Sequence, residues 1–186
     1  MIITKFTGGM LVLLFLMSLL TLFYCFPFNS VNKNLRKTPG LKIFIVATVW
    51  SLLIVVFPII NFSEKLDISF LIFFVQVLIF VIATIFPFEI RDLNSDCKQL
   101  RTIPQIIGVK NTKVLGFCLL LIFMILDCIQ YLILNFISFK SILINAAICL
   151  TTFTLILKSK ENQSIYFSSF WVESLPILWL LLYIIL

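Results

Sequence analysis

The sequence predicts an all-α, polytopic transmembrane helix bundle, and three observations carry that reading. Hydrophobic residues make up 62% of the 186 and charged residues only 12%, where a soluble domain carries about a quarter charged. The apolar residues are gathered into six runs, each near the roughly 20 residues a helix needs to cross a bilayer core. Those runs are apolar on every face, whereas transmembrane strands show shorter segments of alternating polarity.

In chain order the spans fall at about 8–28, 42–61, 67–88, 114–136, 140–157 and 168–186, within a single transmembrane domain covering 1–186. The first lacks a strongly basic start and a small-residue cleavage site, and it is long for a signal peptide. It therefore reads as a retained helix. After it comes a polar loop ending in Thr38-Pro39-Gly40, where Pro presets φ and Gly tolerates positive φ. Only Asn61–Asp67 separates the second and third spans, which predicts a tight helical hairpin. Pro87 closes the third span and predicts a break in the helix, followed by a short, re-aimed helix and a motif loop over 89–113. The fourth span carries Asp127 and Gln130, the fifth Asn145, and the sixth opens with Trp171 and Glu173.

The formal charge is +6, but its distribution argues against nucleic acid, which needs a contiguous basic face with readout residues. Eleven of the fourteen cations follow spans one, three and five, and only Lys5, Lys65 and Lys140 lie on the other side. An excess of Lys and Arg marks the cytoplasmic side. The expected location is the cell (inner) membrane, with the 89–113 loop facing the cytoplasm and both termini outward. No histidine occurs, which excludes Ser-His and Cys-His machinery and histidine metal ligation. The five cysteines form no C-x-x-C pair and no disulfide framework.

The longest polar island runs from Phe88 to Pro104 and holds three of the eight carboxylates, Glu89, Asp92 and Asp96, followed by Lys98 and Arg101. On a helix the three acids would share one face and suit a divalent cation holding a phosphorylated ligand. The alternative is a solvated loop whose acids pair with Arg91, Lys98 and Arg101. Arg36 and Lys37 in the first loop have the same two readings. They are either topological anchors or an anion-binding wall, since the arginine fork grips phosphate oxygens in pairs. Asp127 lies at membrane depth, where a carboxylate is a functional-site hypothesis by default; the alternative is a hydrogen bond to a neighbouring helix.

The run Pro87-Phe88-Glu89-Ile90-Arg91-Asp92-Leu93-Asn94-Ser95-Asp96, followed by Arg101-Thr102-Ile103-Pro104-Gln105-Ile106-Ile107-Gly108, resembles the second aspartate-rich motif of the UbiA superfamily of intramembrane prenyltransferases. Glu89 stands in for that motif's first Asp. Upstream, Tyr24-Cys25-Phe26-Pro27, the Leu35–Lys42 stretch and Trp50 resemble the loop between the family's helices four and five. The resemblance implies that the six spans correspond to helices four to nine of nine. Nothing in residues 1–30 matches the family's first motif.

The resemblance also implies an activity. An isoprenoid chain would pass from its diphosphate to an apolar or aromatic acceptor, with Mg²⁺ on Glu89, Asp92 and Asp96. Arg101, Arg36 and Lys37 would contact the diphosphate. With the first motif absent, only half of the family's clamp is present, and this chain alone is expected to be inactive. Two other readings compete: a non-catalytic membrane protein binding a polyprenyl lipid or a partner helix, and a small transporter using Asp127.

Overall fold

A computed structural model describes residues 8–25, 40–62, 67–96 and 100–186. Those residues form seven α-helices and no strand: α1 (Gly8–Cys25), α2 (Leu41–Ser51), α3 (Phe57–Phe62), α4 (Ile68–Arg91), α5 (Ile103–Leu132), α6 (Phe139–Lys158) and α7 (Leu175–Ile185). Among them, five helical stretches are long and apolar enough to cross a membrane: 41–60, 68–94, 103–132, 139–158 and 167–185, the third of them kinked at Gly108. The protein is an all-α, integral membrane helix bundle. Where six spans are expected, the first is the short one, with its apolar part at Gly8–Leu22. The chain gathers into two compact units, Met1–Leu78 and Ile79–Leu186.

In the first unit, Met10, Leu13 and Met17 form the buried stripe of α1, at the three- and four-residue spacing of one helix face. A Cβ on Gly9 would lie 3.1 Å from Ile60 Cγ2, so glycine lets that side chain approach the α1 backbone. A wide π turn at Leu52–Val56 joins α2 to α3 and directly precedes Pro58. Proline has no N–H, and its ring crowds the carbonyl four residues back; the wide turn encloses that carbonyl, at Ile54. An apolar cleft of about 490 Å³ lies between this turn and the start of α4, lined by Leu52, Val55, Ile59, Ile68, Leu71 and Phe74 among others.

The second unit is built inside-out. On α5 the buried positions are Pro104, Thr112, Gly116, Leu120, Phe123, Asp127 and Gln130. Val114, Leu121, Ile122 and Ile125 point outward and are exposed. Polar side chains facing in and aliphatic ones facing out is the pattern a hydrocarbon solvent imposes. The core gathers Phe80, Ala83, Leu120, Phe123, Ile148, Cys149, Ile156, Val172 and Leu175, with Trp179 packed 4.9 Å from Phe80, centroid to centroid. Gly116 lets α5 approach closely, because a Cβ there would stand 3.1 Å from Ile156 Cδ1 and 3.2 Å from Phe86 Cδ2. A second π turn, Phe167–Val172, precedes Pro176 and contains the carbonyl four residues before it, as the first does for Pro58.

Two expectations are corrected at the end of α4. Pro87 does not break the helix; α4 runs through it to Arg91. The helix loses one N–H bond there, while its buried neighbours Phe86 and Ile90, both 0% exposed, hold the backbone in line. The fourth span was expected from 114, yet α5 begins at Ile103. Thr102 sits extended before the helix, Pro104 occupies its first turn, and Gln105 Oε1 accepts the Thr102 N–H at 3.1 Å. Proline is tolerated there because the first N–H groups of a helix have no intrahelical partner. The expected tight turn at 61–67 falls largely outside the described residues.

Candidate functional site

The acidic motif folds as a joint between α4 and α5, and each acid has a different fate. Glu89 is on the last turn of α4 and is 2% exposed. Its Oε2 accepts the Ile103 N–H at 3.3 Å, so this carboxylate sits at the start of α5. That position is favourable, because the first N–H groups of a helix lack internal partners and carry partial positive charge.

Asp92 begins a single 3₁₀ turn, Asp92–Asn94. Arg91 grips it with two bonds, from Nε to Oδ1 at 2.6 Å and from the second terminal nitrogen to Oδ2 at 3.0 Å. The remaining terminal nitrogen of Arg91 donates to the Ser168 hydroxyl at 2.7 Å. Three of the five N–H donors of this guanidinium are therefore engaged with protein.

Asp96 lies in the bend beyond the 3₁₀ turn. Its N–H donates to the Asp92 carbonyl at 2.8 Å, and its own carbonyl accepts Gln105 Nε2 at 3.2 Å. Its Oδ2 is buried without a hydrogen-bond partner among the described residues.

The shared helical face expected for 89, 92 and 96 therefore does not form. The α-helix stops at Arg91, and the tighter 3₁₀ turn rotates Asp92 and Asp96 out of its register. Among the described residues, no group of three or more acids, cysteines or histidines is arranged to hold a metal ion. In this arrangement Glu89 accepts a backbone N–H and Asp92 is paired with Arg91. Arg36 and Lys37, expected on the same site, lie outside the described residues.

Arg101 has the opposite character. It is exposed, and its backbone sits at φ 45, a left-handed conformation that costs a non-glycine residue about 1–2 kcal/mol. That turn lets the chain enter the extended Thr102 and start α5. Arg101 lines a polar hollow of about 610 Å³ together with Leu93, Asn94, Pro104, Gln105 and Ile106. No hydrogen bond or ion pair ties its guanidinium to the described residues.

The connection between α6 and α7 closes the same end of the unit. Lys113 Nζ donates to the Leu157 and Ser159 carbonyls, each at 2.7 Å, and so caps the C-terminus of α6. Gln163 Nε2 donates to the Pro87 carbonyl at 2.7 Å, and Gln163 Oε1 accepts the Lys160 N–H at 3.0 Å. Asn94 Nδ2 reaches Glu161 Oε2 at 3.3 Å. Asn94, Gln105, Lys113, Gln163 and Ser168 carry no role in the sequence reading. Gln105 had a signal, since Thr-x-x-Gln is a capping-box spacing. The other four make long-range contacts that leave no local pattern.

A second polar cluster lies within the membrane-spanning part. Asp127 and Asn145 are buried on α5 and α6, and Asn145 Nδ2 donates to both carboxylate oxygens, at 3.1 and 3.0 Å. Asn145 Oδ1 in turn accepts Trp179 Nε1 from α7 at 2.9 Å. This chain joins three helices. Compared with family models, curated proteins and solved structures, the sequence and fold match none.

Proposed function

We propose that this protein is a UbiA-like membrane protein that binds an isoprenoid diphosphate at the hollow beside the acidic joint, without transferring the chain by itself. The carrying observation is Arg101, an exposed guanidinium with no partner among the described residues, held in a polar hollow at the end of an apolar bundle. A guanidinium fork suits diphosphate oxygens. The exposed Ile106 and Ile107 on the next helical turn offer apolar surface to the first isoprene units. The residue pattern over 87–108 supports the same ligand class.

Binding without transfer is the reading favoured by the engagement of Glu89 with a backbone N–H and of Asp92 with Arg91, together with the absence of a match to the family's first motif in residues 1–30. Mg²⁺ and the acceptor stay on the proposal as implications of the resemblance. The proposed orientation places this end in the cytoplasm of a cell (inner) membrane. Lys and Arg concentrate on the loops at this end, and the segments after the third and fifth spans are hydrogen-bonded to one another there.

The test is equilibrium binding of a radiolabelled, water-soluble farnesyl diphosphate to the full chain in phosphatidylcholine nanodiscs, with and without Mg²⁺. Arg101→Asn keeps a residue that tolerates the left-handed backbone and removes the cation. The expected loss is about tenfold or more, since hydrogen bonds to charged groups contribute roughly 1.5–3 kcal/mol. Equal binding by wild type and variant would sink the assignment. Prenyl transfer to an added aromatic acceptor by this chain alone would overturn the non-transferring part.

A further inference from the structure

The hollow that holds Arg101 has a second polar wall at Asn94, and Asn94 is engaged from outside. Its Nδ2 lies 3.3 Å from Glu161 Oε2. Glu161 is exposed and lies in the turn after α6, so its place depends on how that turn is fixed. It is fixed from several sides. Lys113 holds the Leu157 and Ser159 carbonyls before it. Gln163 grips the Lys160 N–H and the Pro87 carbonyl after it, and Ser168 receives Arg91. A carboxylate is thus presented to a residue lining a hollow whose one charged lining residue, among the described residues, is Arg101, by a turn tied to the end of α4.

We infer that Glu161 is an autoinhibitory gate on the anion site, an inference that rests on the diphosphate-binding reading above. Two physical effects act together. The carboxylate takes one of the two N–H donors of the Asn94 amide, and its charge repels an anionic headgroup while Arg101 attracts it. Arg91 is already turned toward Asp92 and Ser168, which take three of its five N–H donors. Ligand entry therefore competes with Glu161 for Asn94 and against its charge, and both lower the affinity of the hollow. Regulation follows from position: whatever neutralises Glu161 or draws the 159–164 turn away opens the site.

The experiment uses the full chain in phosphatidylcholine nanodiscs, with farnesyl diphosphate as the probe at fixed ionic strength. Glu161→Ala removes charge and acceptor together and should tighten binding about two- to fivefold, the range that exposed charge contacts support. Glu161→Gln removes the charge and keeps an acceptor, so its gain should be smaller. In an Asn94→Ala background, the gain from Glu161→Ala should shrink toward that of charge removal alone. Unchanged affinity in both Glu161 variants, with Arg101→Asn still weakening binding, overturns the gate and leaves the diphosphate site standing. No saturable binding by wild type or by any variant overturns both.

Discussion

Two buried carboxylates in the second unit occupy different solvents and are satisfied in different ways. Glu89, at the end of α4, takes a backbone N–H from the first turn of α5. Asp127, on a membrane-spanning helix, takes a side-chain amide from α6, which is itself held by the α7 indole. The first contact decides where a helix begins; the second decides how three finished helices lie against each other. In neither case is the acid the group left available. The group left exposed beside the joint is the Arg101 cation, on which the proposed function rests.

Glu89→Ala should produce the largest change. It strands a part-buried backbone donor at the start of α5, at about 1–3 kcal/mol, while Glu89→Gln keeps an acceptor and should recover most of that. Reversible unfolding in mixed detergent micelles measures both. If Glu89→Ala were no worse than Glu89→Gln, the carboxylate would not be acting through the Ile103 N–H.

Next comes Gly108→Ala. Gly108 has φ 79 and ψ 159 inside α5, a region essentially reserved for glycine, where a side chain costs about 1–3 kcal/mol. No atom lies within 4 Å of an added Cβ, so the loss should come from backbone strain alone. Alanine and serine should then be equally damaging in the same unfolding assay.

Asp127→Ala should cost less, about 1 kcal/mol, because interhelical hydrogen bonds in membranes are modest. Asp127→Asn should be close to neutral, since an amide oxygen still accepts from Asn145. The transporter reading predicts the reverse emphasis for Asp127→Asn, a loss of gradient-driven flux with stability intact. Flux measured in proteoliposomes decides between them.

The architecture was legible in the sequence because hydrocarbon imposes a uniform demand: apolar faces outward, with the few polar residues such as Asp127, Asn145 and Thr152 turned inward. The carboxylate motif was less legible for a specific reason. Spacing reports a shared face only while one helix persists, and here the α-helix gives way to a 3₁₀ turn between Arg91 and Asp92. Pro87 misled in the opposite direction, because buried packing at Phe86 and Ile90 outweighs one lost N–H bond. The start of α5 could have been read from Thr102-Ile103-Pro104-Gln105, where cap, early proline and capping-box glutamine agree. The ties from Asn94, Lys113 and Gln163 bridge tens of residues and follow only from the fold.

The break at Gly108 has a consequence for how deep the protein sits. As one straight rod, α5 would measure about 45 Å, half again the thickness of a bilayer's hydrocarbon. The glycine divides it, leaving 109–132 at about 36 Å as the part matched to the core and freeing 103–107 to take another direction. The carbonyls exposed by the division are taken by the next turn, with Asn111 Nδ2 on Ile107 and the Thr112 hydroxyl on Gly108, both at 2.9 Å. Gly108 therefore works as a divider: on one side lies the stretch long enough to cross the hydrocarbon, on the other the short segment whose first turn lines the Arg101 hollow.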